Sequence, residues 1–179
     1  MEDARFEARL IPRPLEEGQR GLPASGAERV QFYLAANRGE DPAPLDKVAS
    51  GGELSRIMLA IKAVVAAMDD IPTMIFDEID SGISGNMARI VGQKLALIAR
   101  QRQVVCITHT AQIAAMADAH YYIEKVAGES RTHTQVSALA PGDRYREIAR
   151  LVGGDMAGSV AAEHAREMLK WCRQYKKSL

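Results

Sequence analysis

A Ser-Gly-Gly turn directly before a strongly helical segment constrains this chain more than any other feature. Ser50, Gly51 and Gly52 precede a run in which apolar residues recur at helical spacing. Such a turn exposes backbone N–H groups at the positive end of the helix dipole, and both attract a phosphate group. Taken alone, the same turn is more often only a helix cap, so the phosphate interpretation depends on residues elsewhere in the chain.

Two later segments provide that support. A short apolar run ends in the adjacent acids Asp77 and Glu78, and a second apolar run ends at His109. Continuous apolar runs of this length are typical of buried parallel strands, and reactive groups gather at the carboxyl ends of such strands. Separately, the acids could be solvated strand-end residues and His109 a structural histidine. Together with the glycine turn, they indicate nucleotide hydrolysis.

The two acids are predicted to have different roles, because adjacent residues of a strand point to opposite faces. We expect Asp77 to hold Mg²⁺, directly or through water, as the acid after such a strand does in P-loop enzymes. Glu78 is predicted to orient and polarise the attacking water. His109 could donate a hydrogen bond to the γ-phosphate or orient that water. The Ser-Gly-Gly turn would bind the γ-phosphate and stabilise its developing charge.

Helical segments and short apolar runs alternate through the middle of the chain, which predicts an α/β fold of mostly parallel central strands flanked by helices. Alternating segments near residues 6–10 and 30–34 predict a small antiparallel β region at the N-terminal end. With 179 residues the chain is expected to form a single domain. The other predicted elements are strands 74–76, 104–107, 121–126 and 132–139 and helices 54–68, 86–100, 113–116, 144–151 and 159–175.

Composition excludes several classes of protein. The 23 basic and 23 acidic residues give no net charge, so any contact with DNA requires a local patch. The basic residues of the last helix are interpreted as a solvent-facing helix end, with DNA contact as the alternative. Two cysteines without close spacing suggest neither disulfides nor zinc. No segment has the length of a membrane span or the core of a signal peptide, so we expect no membrane partner and a cytoplasmic location.

Four segments resemble the motifs of ABC-type ATPases, in the same order and with the same spacing. Residues 49–53 resemble the signature motif, 74–78 the Walker B strand, 80–85 the D-loop, and 107–109 the segment of the switch histidine. The resemblance implies that ATP and Mg²⁺ are the cofactors. It also assigns roles to a set of residues: nucleotide binding to Ser50, Gly51, Gly52 and Glu53, catalysis to Glu78 and His109, metal binding to Asp77, and D-loop positions to Asp80, Ser81 and Gly82.

The details narrow the resemblance to one family. The sequences Lys-Val-Ala-Ser-Gly-Gly-Glu-Leu-Ser-Arg at 47–56, Asp-Glu-Ile-Asp-Ser-Gly-Ile-Ser-Gly at 77–85 and Thr-His-Thr-Ala-Gln-Ile-Ala at 108–114 closely resemble the bacterial RecN family of DNA repair proteins. These are relatives of the structural maintenance of chromosomes (SMC) proteins. The resemblance implies the C-terminal lobe of an ABC-type ATPase head of the P-loop NTPase superfamily. It also implies ATP hydrolysis in double-strand break repair and recombination, in a bacterial, nucleoid-associated protein.

One motif of that family is missing from this sequence. No Gly-x-x-x-x-Gly-Lys-Ser/Thr P-loop (Walker A) occurs in the chain. The resemblance implies that an N-terminal lobe carries it, that a second head sandwiches ATP, and that DNA binds the full-length protein. The signature turn then acts in trans, while Asp77, Glu78 and His109 act in cis. We expect these three to line one mouth, with the diglycine turn displayed apart from them, and the chain alone to be inactive as an ATPase.

Two alternatives remain open at this point. The chain could be a non-catalytic interaction module that uses the signature surface only for pairing, or it could come from another ABC-type protein of the SMC group. Arg56 is also ambiguous, because it could reach a phosphate, ribose or acid across a dimer or could simply be solvated.

Overall fold

The computed structural model describes residues 4–14, 23–35, 38–48, 51–65, 71–127, 131–153 and 158–179. The chain divides into two compact units, Met1–Ser50 and Gly51–Leu179, and each is described by itself. The single domain expected from chain length therefore stays a prediction. Among the described residues, no helix combines the length and the apolar character that crossing a membrane requires.

The first unit contains a small antiparallel sheet. Its described elements are β1 (Arg5–Pro12), β2 (Glu28–Ala35), β3 (Ala43–Pro44) and the single-turn helix α1 (Leu45–Val48). The alternating residues of β1 and β2 face each other in register, and the rings of Phe6 and Phe32 have centroids 5.3 Å apart. The antiparallel β region predicted at the N-terminal end is present. The short β3 and α1 were not predicted.

The second unit alternates strands and helices as the apolar spacing predicts. The strands β4 and β5 pair in parallel, with helix α3 as the connection, while β6 and β7 form an antiparallel hairpin. The described elements of this unit are α2 (Gly51–Val65), β4 (Thr73–Phe76), α3 (Gly85–Ile98), β5 (Gln103–Cys106), α4 (Ala111–Met116), β6 (Tyr121–Ala127), β7 (Thr132–Ala138), α5 (Arg144–Gly153) and α6 (Ser159–Lys177).

Helices cover one face of the β4–β5 pair. Met74 and Phe76 are buried in a cluster with residues of α2, α3 and α4. Helix α3 contributes residues 88, 91, 95 and 98 to this cluster, which is the spacing of one helix face. On the other face Ile75 is 70% exposed and Val105 43%. The cluster fixes the carboxyl ends of both strands from one side and leaves an apolar surface on the other.

A second buried cluster joins α4, α5 and α6. Ile148 and Ala165 are completely buried there, and Leu169 and Cys172 pack with them. Helix α4 contributes to both clusters, because Ile113 belongs to the first and its neighbouring alanines belong to the second. The loop before α4, which carries His109, is therefore held from two sides of the unit.

Candidate functional site

The carboxyl ends of β4 and β5 bring the predicted acids and the predicted histidine to one edge. Phe76 and Cys106 are in register, and the Ile107 N–H donates to the Phe76 carbonyl at 2.9 Å. The turn after β4, residues 77–82, and the loop after β5, residues 107–110, begin side by side for this reason. We call them the acid turn and the switch loop.

The main chain changes direction sharply at Glu78, within the acid turn. The Asp77 carboxylate accepts a hydrogen bond from the Glu78 N–H at 2.9 Å, and the Ser81 N–H donates to the Glu78 carbonyl at 3.0 Å. Glu78 has a φ of 55°, in the left-handed region that residues other than glycine rarely adopt. Such a conformation costs about 1–2 kcal/mol. Both acids are exposed and lie beyond the end of β4. The alternation of side chains along a strand therefore does not apply to them, and the turn determines where each side chain lies.

Asp80 points inward and holds the switch loop. Its side chain is 2% exposed, and one carboxylate oxygen, Oδ2, accepts from the Thr108 hydroxyl at 2.5 Å, the His109 N–H at 2.9 Å and the Thr110 N–H at 3.2 Å. The same oxygen lies 3.2 Å from Nδ1 of His109, whose side chain is 74% exposed. Asp80 therefore joins the acid turn to the switch loop, while the histidine ring reaches solvent.

The charge states of this edge follow from burial and hydrogen bonding. Burial raises the pKa of Asp80, but the lowering effects together outweigh it, led by the hydrogen bonds from the Thr108 hydroxyl and the His109 N–H, and the resulting pKa lies below the usual value of aspartate. Burial, assisted by the charges of Asp80 and Asp77, raises the pKa of the Cys106 thiol to about 12. At neutral pH, Asp80 is a carboxylate and Cys106 is a neutral, unreactive thiol.

The beginning of α2 packs directly on the acid turn. A Cβ atom on Gly52 would lie 2.8 Å from the Ser81 Cβ and 2.9 Å from the Glu78 carbonyl oxygen, so only glycine allows this approach. The Ser55 hydroxyl donates to the Asp77 carbonyl at 3.0 Å. The Arg56 guanidinium donates to the Ser81 carbonyl at 2.7 Å and to the Ile79 carbonyl at 3.3 Å.

These contacts correct the expectation that the diglycine turn is displayed apart from the acids. Gly52 adjoins the acid turn, because the glycine lets the helix approach the main chain there. Ser50 lies outside the described residues, as do the side-chain surroundings of Glu53, while Gly51 is the first residue of α2. Gly82 is exposed, with a φ of 69° and no atom near its missing Cβ.

The partners of three contributors to this edge were not identified from the sequence. Arg56 matches neither of its two sequence interpretations fully, because it binds the carbonyls of the acid turn within its own chain. Ser55 and Thr108 were not singled out at all. Ser55 follows the signature residues and Thr108 precedes His109, and this proximity in sequence was the signal that could have pointed to them. Their hydrogen-bond partners could not be inferred from it, because they lie more than 20 positions away.

Asp77 is the residue of this edge that was predicted to bind magnesium. Asp77 is exposed at the strand end, and the described residues contain no group of three histidine, cysteine or acidic side chains that could hold a metal ion. Mg²⁺ commonly binds one or two carboxylates and takes its remaining ligands from water and from phosphates of a substrate. Asp77 fits that pattern of binding, in which the nucleotide completes the coordination.

Comparisons with known proteins agree with the motifs. The protein named DNA repair protein RecN from Treponema pallidum is 41% identical over 170 residues, which cover 95% of this chain and 30% of that protein. The protein of the same name from Bacillus subtilis is 41% identical over 179 aligned residues, covering 97% of this chain and 31% of that protein. No protein-family model matches the chain. The chain thus spans about 30% of the length of these relatives.

A solved structure gives the fold. The Smc head domain with a coiled coil and joint from Pyrococcus yayanosii matches 80% of this chain and 25% of its own chain, with a TM-score of 0.54 at 23% sequence identity. The predicted similarity to RecN is confirmed. The predicted fold class, an α/β fold with parallel central strands, is confirmed as well, and it is similar to the fold of that Smc head domain.

Proposed function

We propose that this chain, similar to RecN proteins and folded as part of an SMC-type head, is the C-terminal lobe of an ATPase that acts in DNA double-strand break repair and recombination. The complete head would hydrolyse ATP to ADP and phosphate. One observation carries the proposal: the exposed acids of the acid turn, the exposed His109 ring and the beginning of α2 meet at one edge of the β4–β5 pair.

Two carboxylates of the acid turn have distinct parts in the proposed reaction. Asp77, oriented by the Glu78 N–H, would be the ligand of Mg²⁺, which when bound neutralises charge on the phosphates. The left-handed conformation of Glu78 turns its carboxylate out of the strand direction and into solvent. In that position Glu78 would accept a hydrogen bond from the attacking water and polarise it. Strain at such a residue is common in active sites.

The beginning of α2 and the acid turn form one surface for a second head. We propose that Ser50, Gly51, Gly52 and Glu53 bind the nucleotide held by that head, with N–H groups of the helix start facing its γ-phosphate. Ser81 and Gly82 of the D-loop would lie beside it. This proposal is supported by the close packing of Gly52 on Ser81 and by the hydrogen bond that Arg56 donates to the Ser81 carbonyl.

Other partners complete the proposal. An N-terminal lobe with the P-loop would supply the lysine and the hydroxyl that bind the phosphates and Mg²⁺. The exposed apolar face at Ile75 and Val105 is the surface that such a lobe would cover. DNA would bind the full-length protein, and the location would be the bacterial cytoplasm at the nucleoid.

Measuring phosphate release tests whether ATP hydrolysis requires both this chain and the N-terminal lobe. The purified chain should release phosphate from ATP and Mg²⁺ no faster than buffer, because the P-loop is missing from it. Adding the N-terminal lobe should restore turnover, and adding that lobe to a Glu78→Gln chain should not. Robust turnover by the chain alone would contradict the proposal.

Head pairing distinguishes catalysis from simple interaction. In the full-length protein, Glu78→Gln should abolish hydrolysis while ATP-driven pairing of heads, measured by sedimentation, persists. This result is expected because the variant lacks the carboxylate charge that would activate water, while residues 50–53, which would bind the nucleotide of the second head, are unchanged. If the unmodified protein pairs with ATP but never turns it over, the chain is a non-catalytic interaction module.

A further inference from the structure

Asp80 is the charged residue among the buried side chains of the described structure, and its position is not explained by packing. A buried carboxylate is stable only when hydrogen bonds replace its hydration. Asp80 obtains these bonds from three consecutive residues of the switch loop: the Thr108 hydroxyl and the N–H groups of His109 and Thr110. The carboxylate therefore fixes the backbone on both sides of the His109 side chain.

The same oxygen also lies close to the imidazole ring. Nδ1 of His109 lies 3.2 Å from Oδ2 of Asp80. At this distance an anionic oxygen repels the lone pair of an unprotonated Nδ1 and attracts a protonated Nδ1. We propose that Asp80 is a positioning residue that fixes His109 with the proton on Nδ1, leaving Nε2 of the neutral ring as a hydrogen-bond acceptor.

This assignment distinguishes between the two roles that the sequence left open for His109, which are donation to the γ-phosphate and orientation of the attacking water. A neutral ring with its proton on Nδ1 cannot donate from Nε2, so it cannot donate a hydrogen bond to a γ-phosphate oxygen. It can accept a hydrogen bond from the attacking water. Resting on the proposed function, the inference makes neutral His109 a second orienting group for the water that Glu78 polarises. Donation to phosphate would require a second proton on the ring.

The tautomer is measurable in the chain by itself, without ATP or a partner lobe. Long-range ¹H–¹⁵N correlation spectra distinguish the two ring nitrogens of each histidine. At about pH 8.5, where ordinary imidazoles are neutral, we expect the Nδ1–H form of His109 to exceed the Nε2–H form by about tenfold or more. His133 and His164 are exposed, and the described part of the chain gives neither a carboxylate contact, so they serve as internal references.

Two variants separate the carboxylate from the rest of the network. Asp80→Asn should shift His109 toward the Nε2–H form, because the anionic oxygen is gone. Thr108→Val removes a hydrogen bond to Asp80 but keeps the carboxylate, so His109 should keep its tautomer. A His109 spectrum that matches His133 and His164 in the unmodified chain would overturn the proposal, and this result does not depend on whether Asp80→Asn folds.

A kinetic readout connects the tautomer to the reaction. In heads completed with the N-terminal lobe, Asp80→Asn should lower kcat at least tenfold while changing the KM for ATP less than threefold, since the ring then loses its acceptor toward water but the phosphate contacts remain. A purely structural role would lower both in proportion to the folded fraction. If the completed heads have no activity with any variant, the proposed function fails, while the tautomer measurement still stands.

Discussion

Gly52 and Glu78 are so close that a Cβ atom on the glycine would lie 2.9 Å from the glutamate carbonyl oxygen. Gly52 lies in the first turn of α2, the helix of the predicted signature motif, and Glu78 is the proposed catalytic carboxylate. The part of the chain that would face a second head therefore rests directly on the part that would perform hydrolysis. We expect a displacement of the helix start toward the acid turn to move that turn, because the space between them does not admit even a Cβ atom on Gly52.

Replacing Gly52 by alanine tests this contact. The added methyl group would overlap Ser81 and the Glu78 carbonyl, so Gly52→Ala should destabilise the chain by about 1–3 kcal/mol, the usual cost of overpacking. Gly142→Ala is the matched control, because no atom lies within 4 Å of its missing Cβ and its φ is not positive. Urea unfolding followed by circular dichroism measures both. Equal stability of the two variants would contradict the close approach.

The backbone of Glu78 predicts an unusual order of stability among its variants. Glycine adopts a φ of 55° without strain, whereas alanine does not, so Glu78→Gly should be more stable than Glu78→Ala by about 1 kcal/mol. The neighbouring Asp77 has no positive φ among the described residues, and there the alanine variant should be the more stable one. Thermal unfolding of the four variants gives the comparison. Neither Glu78 variant should support hydrolysis in a completed head.

Asp80 makes stability depend on pH. A carboxyl group whose pKa is lower in the folded chain stabilises the fold while it is ionised; that stabilisation is complete above the unfolded pKa and is lost as pH falls through the folded pKa. The unmodified chain should therefore lose stability below about pH 4. Asp80→Asn should be less stable at pH 7, by about 1–3 kcal/mol, and should lose less on acidification.

Urea unfolding at pH 7 and at about pH 3 measures this dependence on both sides of the ordinary range of aspartate. Of the groups that face Asp80, Cys106 remains protonated over that range because its pKa is about 12, and His109 is present in both proteins. Asp143→Asn is the control, since in the described part of the chain the Asp143 side chain forms a half-exposed ion pair with Arg146, and such pairs contribute little. A parallel acid profile for Asp80→Asn and the unmodified chain would exclude Asp80 as the source.

The sequence was sufficient to predict which segments meet at this edge. The runs that became β4 and β5 are short and continuously apolar, and a helical segment lies between them, so a parallel pair was expected. Parallel strands bring their carboxyl ends to the same edge, and this places Asp77 near His109 without any knowledge of the contacts. The resemblance to ABC-type motifs then supplied the roles that we propose for these residues.

The geometry within the edge could not be predicted in the same way. The spacing of apolar residues predicts which face of a helix or strand a residue lies on. Glu78 and Asp80 lie in a turn, where such spacing gives no information. Whether Arg56 reaches a phosphate or a carbonyl depends on how α2 packs on that turn, which is a tertiary contact. The two-residue strand β3 and the single turn α1 are too short to produce a periodic pattern.

The apolar face of the β4–β5 pair predicts how the chain behaves alone. Ile75 and Val105 are register partners that are 70% and 43% exposed, and Ile107 beyond them is 48% exposed. Burying side chains of this kind yields about 1.5–3 kcal/mol each, so two copies should associate through this face when no lobe covers it. The double variant Ile75→Thr/Val105→Thr keeps residues that favour strands, and it should weaken self-association at least tenfold.

Sedimentation of the chain over a range of concentrations tests that expectation, and Val160→Thr provides the control. Val160 is 78% exposed on α6, away from the strands, so its replacement removes apolar surface without altering the sheet face. The same double variant should also reduce the phosphate release restored by the N-terminal lobe, because that lobe would cover the same residues. Self-association that responds equally to Val160→Thr would show that general surface hydrophobicity, and not this face, drives the contact.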